Sequence, residues 1–583
     1  MARINIPYFE GVNTIVEHNL SKKVELEYAE NVRSLKIGSI EKRRGYSSLG
    51  TGITPLANYG LFYFESTTSN KFLYRITTVG ASITVYYLNN SSVWTALTGA
   101  GTGLSAARVS ATVAENCCFL VNGTDVNRFI AADGTTVTTS ASFATTNHVF
   151  RSPKAFKINY YKDRLYVADY YLGSSRIKNG VMFSSKPVGI VALTSADVTL
   201  SGSPVTIDVT DTKYIYATDS LDVVRGGTKI ATIAITAKTE TTITASSLSA
   251  NILSSDELWV ANTYDGTNGM VFRWADVANG TSVKRYDSFK MTGGSNNQIN
   301  LLTNIGDVMA VSHKDSFMVW NGSNLTGFDS KIGCVSPDGF IKVNNILFFT
   351  HYTGVYATTG GEPKLISSKV QDYFDGATQA GLEACAVGKK GLYLFFSIGT
   401  VTLYNTDGST YKTLSNVVLE YNIRQENWFV HINVPASRFE NYITSTDPDK
   451  IVFTSSVDYA VYDFLTGTSD NNAEIPFMIM SSDITLNKDF ELISYPKRFI
   501  VETESGNTIL PFVSLDRGQL YGLNLTANKG CAVIPVVPQE ANDKYARCRK
   551  IRLCLKESSK GYVKISRVAL EYSDTAEQEV QKS

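Results

Sequence analysis

Residues 335–368 read VSPDGFIKVNNILFFTHYTGVYATTGGEPKLISS. Asp338-Gly339 is a turn pair, and Phe340 to Val343 is a short strand. Ile346 to Thr350 is a second strand, apolar on both faces and so buried. Gly354 to Ala357 is a third, closed by Gly360-Gly361, and Pro363 to Ile366 is a fourth. Four short strands with tight turns in roughly thirty residues make one small antiparallel sheet. Such a sheet cannot bury both of its faces alone. If it recurs, the copies must stack, and radial repetition of small sheets gives a β-propeller.

The pattern does recur. A polar pair followed by an apolar run, read as the inner strand of each copy, begins near 71, 116, 163, 307, 345, 390 and 449. Examples are Asn116-Cys117-Cys118-Phe119-Leu120-Val121 and Lys390-Gly391-Leu392-Tyr393-Leu394-Phe395. A second strand with an aromatic near its end follows most of them, as in Phe317-Met318-Val319-Trp320. The gap between 164 and 307 is too long for one sheet, so a further segment is inserted there. The expected fold is all-β: a β-propeller of about six to eight blades, an inserted small β-barrel or sandwich, and a C-terminal β-sandwich.

The expected boundaries follow from shifts in texture. Residues 1–50 are charged and read as an N-terminal arm or entry segment, with Val24 to Arg33 as one or two helical turns. Residues 51–189 and 263–470 carry the blades. Residues 190–262 turn to Thr, Ser, Ala and Val with few aromatics, and Gly226-Gly227 marks a hairpin between two short strands. Residues 471–573 form the closing β domain. There Arg549 to Leu555 alternates charged and apolar residues, the signature of a half-buried strand with a basic outer face. Residues 574–583 are polar and read as a frayed tail.

Composition narrows the function classes. The chain has 583 residues, room for two to four domains. The 54 basic residues are balanced by 54 acidic ones, so no global field favours nucleic acid. Seven cysteines read as reduced core residues of a reducing compartment. A zinc site at Cys531, Cys548 and Cys554 is the sharper alternative, but no His stands near them. The start, MARINIPYFEGVN, lacks the apolar stretch of a signal peptide. No apolar run reaches the ~18 residues that span a membrane.

Catalytic motifs are missing from the sequence. The five histidines, at 18, 148, 313, 351 and 431, have no metal-ligand spacing. There is no G-x-S-x-G elbow and no phosphate-binding loop. Ser514-Leu515-Asp516-Arg517-Gly518 begins a sialidase-type turn but lacks its Trp. His313 and His351 follow equivalent strands of neighbouring blades and could approach the axis, or could be ordinary loop histidines. Tyr160-Tyr161 and Tyr170-Tyr171 could stack on a sugar or base, or could be sheet-edge residues with one ring in and one out. A carboxylate pair assembled by folding is invisible at this level. The expectation is no enzyme, no cofactor and no metal.

Gly11-Val12-Asn13, then Ala29-Glu30-Asn31, then Gly38-Ser39-Ile40-Glu41-Lys42-Arg43 with Gly45-Tyr46 resembles the opening of tail proteins of tailed bacteriophages. The shared pattern is G-V-N, a short acidic stretch with an Asn, and G-x-x-x-x-R-x-G. Gly354-Val355-Tyr356, Gly361, Pro363 and Ile366-Ser367 are similar to their propeller blades. The match is nearest to the tail tubular protein B, or nozzle, family of short-tailed phages, with head-to-tail hub and stabilisation proteins of similar look. It covers roughly 1–50 and 295–470. The resemblance implies a non-enzymatic homo-oligomeric ring, usually a hexamer, around a DNA channel in the virion tail. The chain would be made in the bacterial host cytoplasm. Its partners would be copies of itself, an adaptor or portal-side tail protein, and tail fibre or other tail proteins. Phage double-stranded DNA would pass through the lumen without sequence-specific binding.

A lumen rich in cations would hold the genome by phosphate neutralisation and slow its release. The densest basic clusters are therefore expected on protein interfaces. Those candidates are Glu41, Lys42, Arg43 and Arg44, and Arg549, Lys550 and Arg552. Phosphate contact by Lys42-Arg43-Arg44 and a plain solvated turn are the competing readings. A polysaccharide-binding or depolymerising propeller, suggested by the 32 tyrosines, and a general interaction scaffold are the alternative functions.

Overall fold

The computed structural model describes residues 2–6, 11–14, 25–36, 39–65, 71–99, 103–114, 116–131, 133–139, 153–172, 174–186, 189–199, 201–217, 219–261, 272–274, 288–291, 297–328, 330–405, 409–444, 447–486, 493–505, 508–516, 518–523, 530–536 and 548–573. The chain is nearly all β and divides into two compact units. One comprises residues 51–334; the other joins residues 1–50 to 335–583.

Among the described residues of the first unit are four four-stranded antiparallel sheets. Their strands are Ala57–Glu65, Lys71–Val79, Ser82–Leu88 and Trp94–Ala96; then Ser110–Ala114, Cys117–Val121, Arg128–Ile130 and Val137–Thr139; then Ala155–Tyr161, Arg164–Leu172, Ser175–Phe183 and Ser288–Lys290; then Leu301–Ile305, Val308–His313, Ser316–Trp320 and Leu325–Gly327. The first strands of successive sheets lie beside one another through all four. The apolar runs that recur in the sequence are the second strand of each sheet, not the first.

The second strands are apolar throughout because each serves two cores. In Cys117–Val121, Cys118 and Leu120 pack toward Tyr74 and Phe62 of the preceding sheet. Phe119 and Val121 pack toward Ile158 and Val167 of the following one. Alternate residues of a strand point to opposite faces. A strand covered on both faces therefore loses the polar alternation of a half-exposed one.

Between the third and fourth strands of the third sheet the chain leaves to build a six-stranded sheet. It runs from Ile190–Leu193 to Glu257–Val260. Its core is its own, centred on Ile207, Leu221, Val223, Ile233 and Leu258. Gly226 and Gly227 both have positive φ and turn the hairpin between Ser220–Arg225 and Thr228–Lys238. Phe272-Arg273-Trp274 returns the chain. Arg273 is fully buried and ion-paired with Asp219, and its guanidinium lies over the Tyr216 ring at 4.6 Å. Tyr216 Oη donates to the Trp274 carbonyl at 2.7 Å, and Ser185 N–H donates to the Arg273 carbonyl at 2.7 Å.

Among its described residues the second unit carries three more four-stranded sheets. The fifth consists of Phe340–Val343, Ile346–His351, Gly354–Thr358 and Lys364–Leu365, the four strands read from residues 335–368. The sixth is Ala386–Lys390, Tyr393–Tyr404, Thr410–Asn422 and Asn427–His431. The seventh takes three strands, Ala436–Tyr442, Lys450–Ser455 and Val461–Phe464, from one stretch of chain. Its fourth is Tyr46–Ser48, paired antiparallel with 462–464. Two six-stranded sheets complete the unit. They share a core containing Phe477, Ile479, Val513 and Leu555 from one and Phe499, Val501, Ile565 and Leu570 from the other.

Of the described strands before residue 43, three pair with strands near the other end of the sequence. Ala2–Ile6 and Ser39–Lys42 pair with Val563–Ser573, and Leu26–Glu30 pairs with Ile475–Ser481. The helical turns expected over Val24 to Arg33 are instead two strands, Leu26–Glu30 and Val32–Lys36. Tyr28, Ala29 and Val32 are buried in the shared core, and sheet pairing overrides a weak local helical preference. Of the seven cysteines, six are buried or half-buried, whereas Cys531 is exposed on the edge strand Gly530–Pro535. The expectation that all seven lie in the core is corrected at that position. The tail 574–583 lies outside the described residues.

Candidate functional site

Between residues 25 and 48 the chain contributes to three sheets in turn. Leu26–Glu30 belongs to one of the six-stranded sheets, Val32–Lys36 and Ser39–Lys42 to the other, and Tyr46–Ser48 to the seventh four-stranded sheet. The change from the first to the second occurs at Asn31, which sits at φ 56. That left-handed conformation is one Asn tolerates better than most residues. Asn31 is fully buried, and its polar groups are all used. Its Oδ1 accepts from Arg43 Nε at 2.7 Å and from Ile432 N–H at 2.9 Å. Its Nδ2 donates to the Pro476 carbonyl at 2.7 Å. Its own N–H donates to Val430, and its carbonyl accepts from Arg43 N–H.

Five charged residues of this segment, Glu25, Glu30, Arg33, Lys42 and Arg43, are buried. Arg43 is 2 % exposed, and its two terminal nitrogens bind both oxygens of Asp470, with Nη1 at 2.7 Å from Oδ1. Lys42 Nζ lies 2.6 Å from Glu557 Oε2 and donates to the Ser559 carbonyl at 2.6 Å. Burial pulls the Lys42 ammonium below its ordinary value, against the raising effect of Glu557. Arg33 Nε donates to Glu420 Oε2 at 2.7 Å, and the same oxygen is 2.7 Å from His431 Nε2. The Arg33 guanidinium lies 4.9 Å from the centre of the Tyr393 ring. Glu30 takes hydrogen bonds from Tyr28 and Lys412, and Glu25 pairs with Lys369 at 2.9 Å.

Two close approaches lock the backbone on either side. Gly11 has φ +95, and a Cβ there would lie 2.7 Å from the Trp428 carbonyl oxygen. A Cβ on Gly45 would fall 1.8 Å from the Ser469 carbonyl oxygen. Only glycine fits either place.

The predicted interface residues thus separate into two groups. Lys42 and Arg43 are interior, their charges neutralised within the chain, so neither presents a free cation to a partner. The structure corrects the expectation there: long side chains from a short, charged segment reach carboxylates hundreds of residues away. Arg44 is exposed and Glu41 is half-buried, accepting from Tyr562 Oη at 2.9 Å. A cleft of about 270 Å³ opens beside them, lined by Lys42, Arg43, Arg44, Gly467, Thr468, Gly561 and Tyr562. In the second cluster Arg552 is held by Asp483 at 2.5 Å and Glu27 at 3.1 Å. Lys550 lies 3.7 Å from Asp483, and Arg549 is exposed.

Other motifs resolve into structural roles. His313 Nδ1 accepts from Asp315 N–H, and His351 Nδ1 accepts from Thr353 N–H, so each closes the turn after its own strand. Asp516 Oδ1 accepts the N–H groups of Arg549 and Lys550, which ties the Ser514-to-Gly518 turn to the neighbouring strand. Tyr160 packs edge-on to Phe272, and Tyr161 and Tyr170 are buried. Among the described residues no group of three His, Cys, Asp or Glu side chains is placed to hold a metal ion. No described helix is long and apolar enough to cross a membrane.

No protein-family model matches the sequence, and no curated protein matches it. Among solved structures the chain is similar to the computationally designed Ika8 protein, with TM-score 0.29 and 8% identity over 79% of this chain and 98% of that one. It is also similar to YCF48 bound to D1 peptide, with TM-score 0.32 and 7% identity over 75% of this chain and 99% of that one. Similarity at this level leaves function to be argued from the residues themselves.

Proposed function

We propose that the chain is a structural component of a bacteriophage tail, a homo-oligomeric nozzle or hub ring around the DNA exit channel that docks neighbouring tail proteins. In this reading the seven four-stranded sheets are the blades of one β-propeller. Within each unit the first strands of successive sheets lie side by side, and apolar cores fill the spaces between sheets. Tyr46–Ser48 completes the seventh sheet from the opposite end of the sequence. In a propeller that strand would be the one that completes the last blade.

The observation that carries the reading is the role of the motif residues. Gly11, Asn31, Arg43 and Gly45 carry the phage-tail resemblance, and each occupies a place where its own chemistry is required. The motif is therefore an architectural one, a clasp joining the sixth and seventh sheets to the C-terminal sheet pair. A resemblance carried by architectural residues supports a common scaffold more strongly than one carried by a surface patch would. Among the described tyrosines that favoured a polysaccharide reading, Tyr161, Tyr166 and Tyr170 are buried, whereas Tyr404, Tyr411 and Tyr459 are exposed.

Negative-stain imaging of the purified chain, alone and mixed with its neighbouring tail proteins, tests this. Rings with a central channel are expected, in the mixture if not alone. Release of reducing sugar from host polysaccharide, abolished by changing one Asp or Glu, would overturn it in favour of a depolymerase.

A further inference from the structure

The clasp contains a titratable group that no part of the proposed ring function requires. His431, at the end of Asn427–His431 in the sixth sheet, is fully buried. With its proton on Nε2 the imidazole donates to Glu420 Oε2 at 2.7 Å, an oxygen that already accepts from Arg33. Nδ1 is buried and has no hydrogen-bond partner. The charged and titratable groups facing the imidazole come from several elements. Glu420 lies on Thr410–Asn422, Arg33 on Val32–Lys36, Arg43 beyond Ser39–Lys42 with Asp470 bound to it, and Tyr393 beside Glu420 and Arg33. With His431 neutral, the two arginines are balanced by the two carboxylates. A proton on Nδ1 would add a third positive charge to a buried cluster of net zero, with no protein acceptor to receive it.

We propose that His431 makes the N-terminal clasp acid-sensitive: its protonation releases residues 31–36 and 39–43 from the sixth sheet while the first unit stays folded. The hydrogen bonds that would be lost include Asn31 N–H to the Val430 carbonyl, Ile432 N–H to Asn31 Oδ1, Arg33 Nε to Glu420 Oε2 and Arg43 Nη2 to the Ile432 carbonyl.

The sign follows from linkage. Burial holds the imidazole below its ordinary 6.5, against the pull of Glu420. A released histidine therefore binds a proton that the clasped one refuses, and stability falls as pH drops below that value. Glu420 acts in the same direction. Burial opposes its ionisation, but Arg33 and His431 overcome that and hold it below 4.5, so its contribution disappears at still lower pH.

Hydrogen exchange of the amides of residues 31–36 and 39–43, corrected for intrinsic rates, tests the proposal, with the amides of 301–320 as internal reference. Protection of 31–36 and 39–43 should fall below pH 6.5 by about tenfold per pH unit for each proton taken up. The reference should not change. In His431→Gln, which keeps a donor to Glu420 and cannot take a proton, the first of these losses should vanish. The same pH profile in parent and variant, or simultaneous loss in the reference, would overturn it. If the variant does not fold at neutral pH, exchange of the imidazole C2 hydrogens of the parent, read by mass spectrometry, decides instead. Its His431 midpoint should lie below 6.5 and coincide with loss of protection at 31–36 and 39–43. A midpoint at or above 6.5 with those residues still protected would contradict the proposal.

Discussion

Arg43 holds Asp470 through both terminal guanidinium nitrogens, 427 residues apart in sequence and with both side chains buried. The pair ties the strand leading into Tyr46–Ser48 to the turn that follows the seventh sheet. Removing one partner leaves the other as an uncompensated interior charge. Arg43→Met and Asp470→Ala should each lower stability by about 3–5 kcal/mol, measured by denaturant unfolding of the second unit. Arg43→Lys should recover little, because a point charge cannot replace the two-pronged geometry.

Asn31 makes a second test of the clasp. Asn31→Ala would strand Arg43 Nε, the Ile432 N–H and the Pro476 carbonyl at once. At about 1–3 kcal/mol for each buried group left unpaired, the loss should exceed that of an ordinary surface change severalfold. Asn31→Gly relieves the φ 56 strain but restores none of these bonds. It should therefore fall between Ala and the parent in melting temperature.

The Lys42–Glu557 pair separates charge from packing. Lys42→Met alone should destabilise by roughly 3–5 kcal/mol, since it leaves Glu557 buried and unpaired. The double change Lys42→Met with Glu557→Met should regain most of the loss. A double-mutant cycle showing no coupling would mean that the two charges reach water in solution.

Much of the repeating architecture was legible in the sequence because the second strands are buried on both faces. Ile346–His351 and Cys117–Val121 read as unbroken apolar runs for that reason. The clasp was not legible. Lys42 and Arg43 look like surface residues, since charged side chains are rarely interior unless paired, and their partners lie in the last quarter of the chain. Leu26–Glu30 gave no strand signal because its partner, Ile475–Ser481, lies far along the chain, and Val32–Lys36 joins its sheet only through the short hairpin with Ser39–Lys42. His431 stood out in no motif. What marks it is the carboxylate on the adjacent strand, and a period of two across a hairpin could have suggested that pairing.

The inserted sheet offers a prediction about separability. Arg273 lies outside the insert but depends on Asp219 within it. Excising residues 190–260 should leave a soluble chain with a cooperative melt. Adding Arg273→Met to the excision should raise its melting temperature, because it removes the cation left without a carboxylate. Aggregation of both forms would show that the insert is integral to the first unit.

Arg44 is the residue that separates interface from channel. Arg43 cannot serve, because reversing its charge would disrupt the interior. Arg44→Glu should leave stability within about 0.5 kcal/mol of the parent while reducing the yield of assembled particles. Normal assembly with altered DNA release would place this cluster in the lumen.

The ring itself is tested most directly by counting copies in place. Symmetry-free averaging of tails from purified virions, with the chain located by a tag on its insert, reads out both position and stoichiometry. The account predicts six copies arranged around the tail axis with the channel running through their centre. A single copy per particle, or a chain absent from the virion, would contradict it.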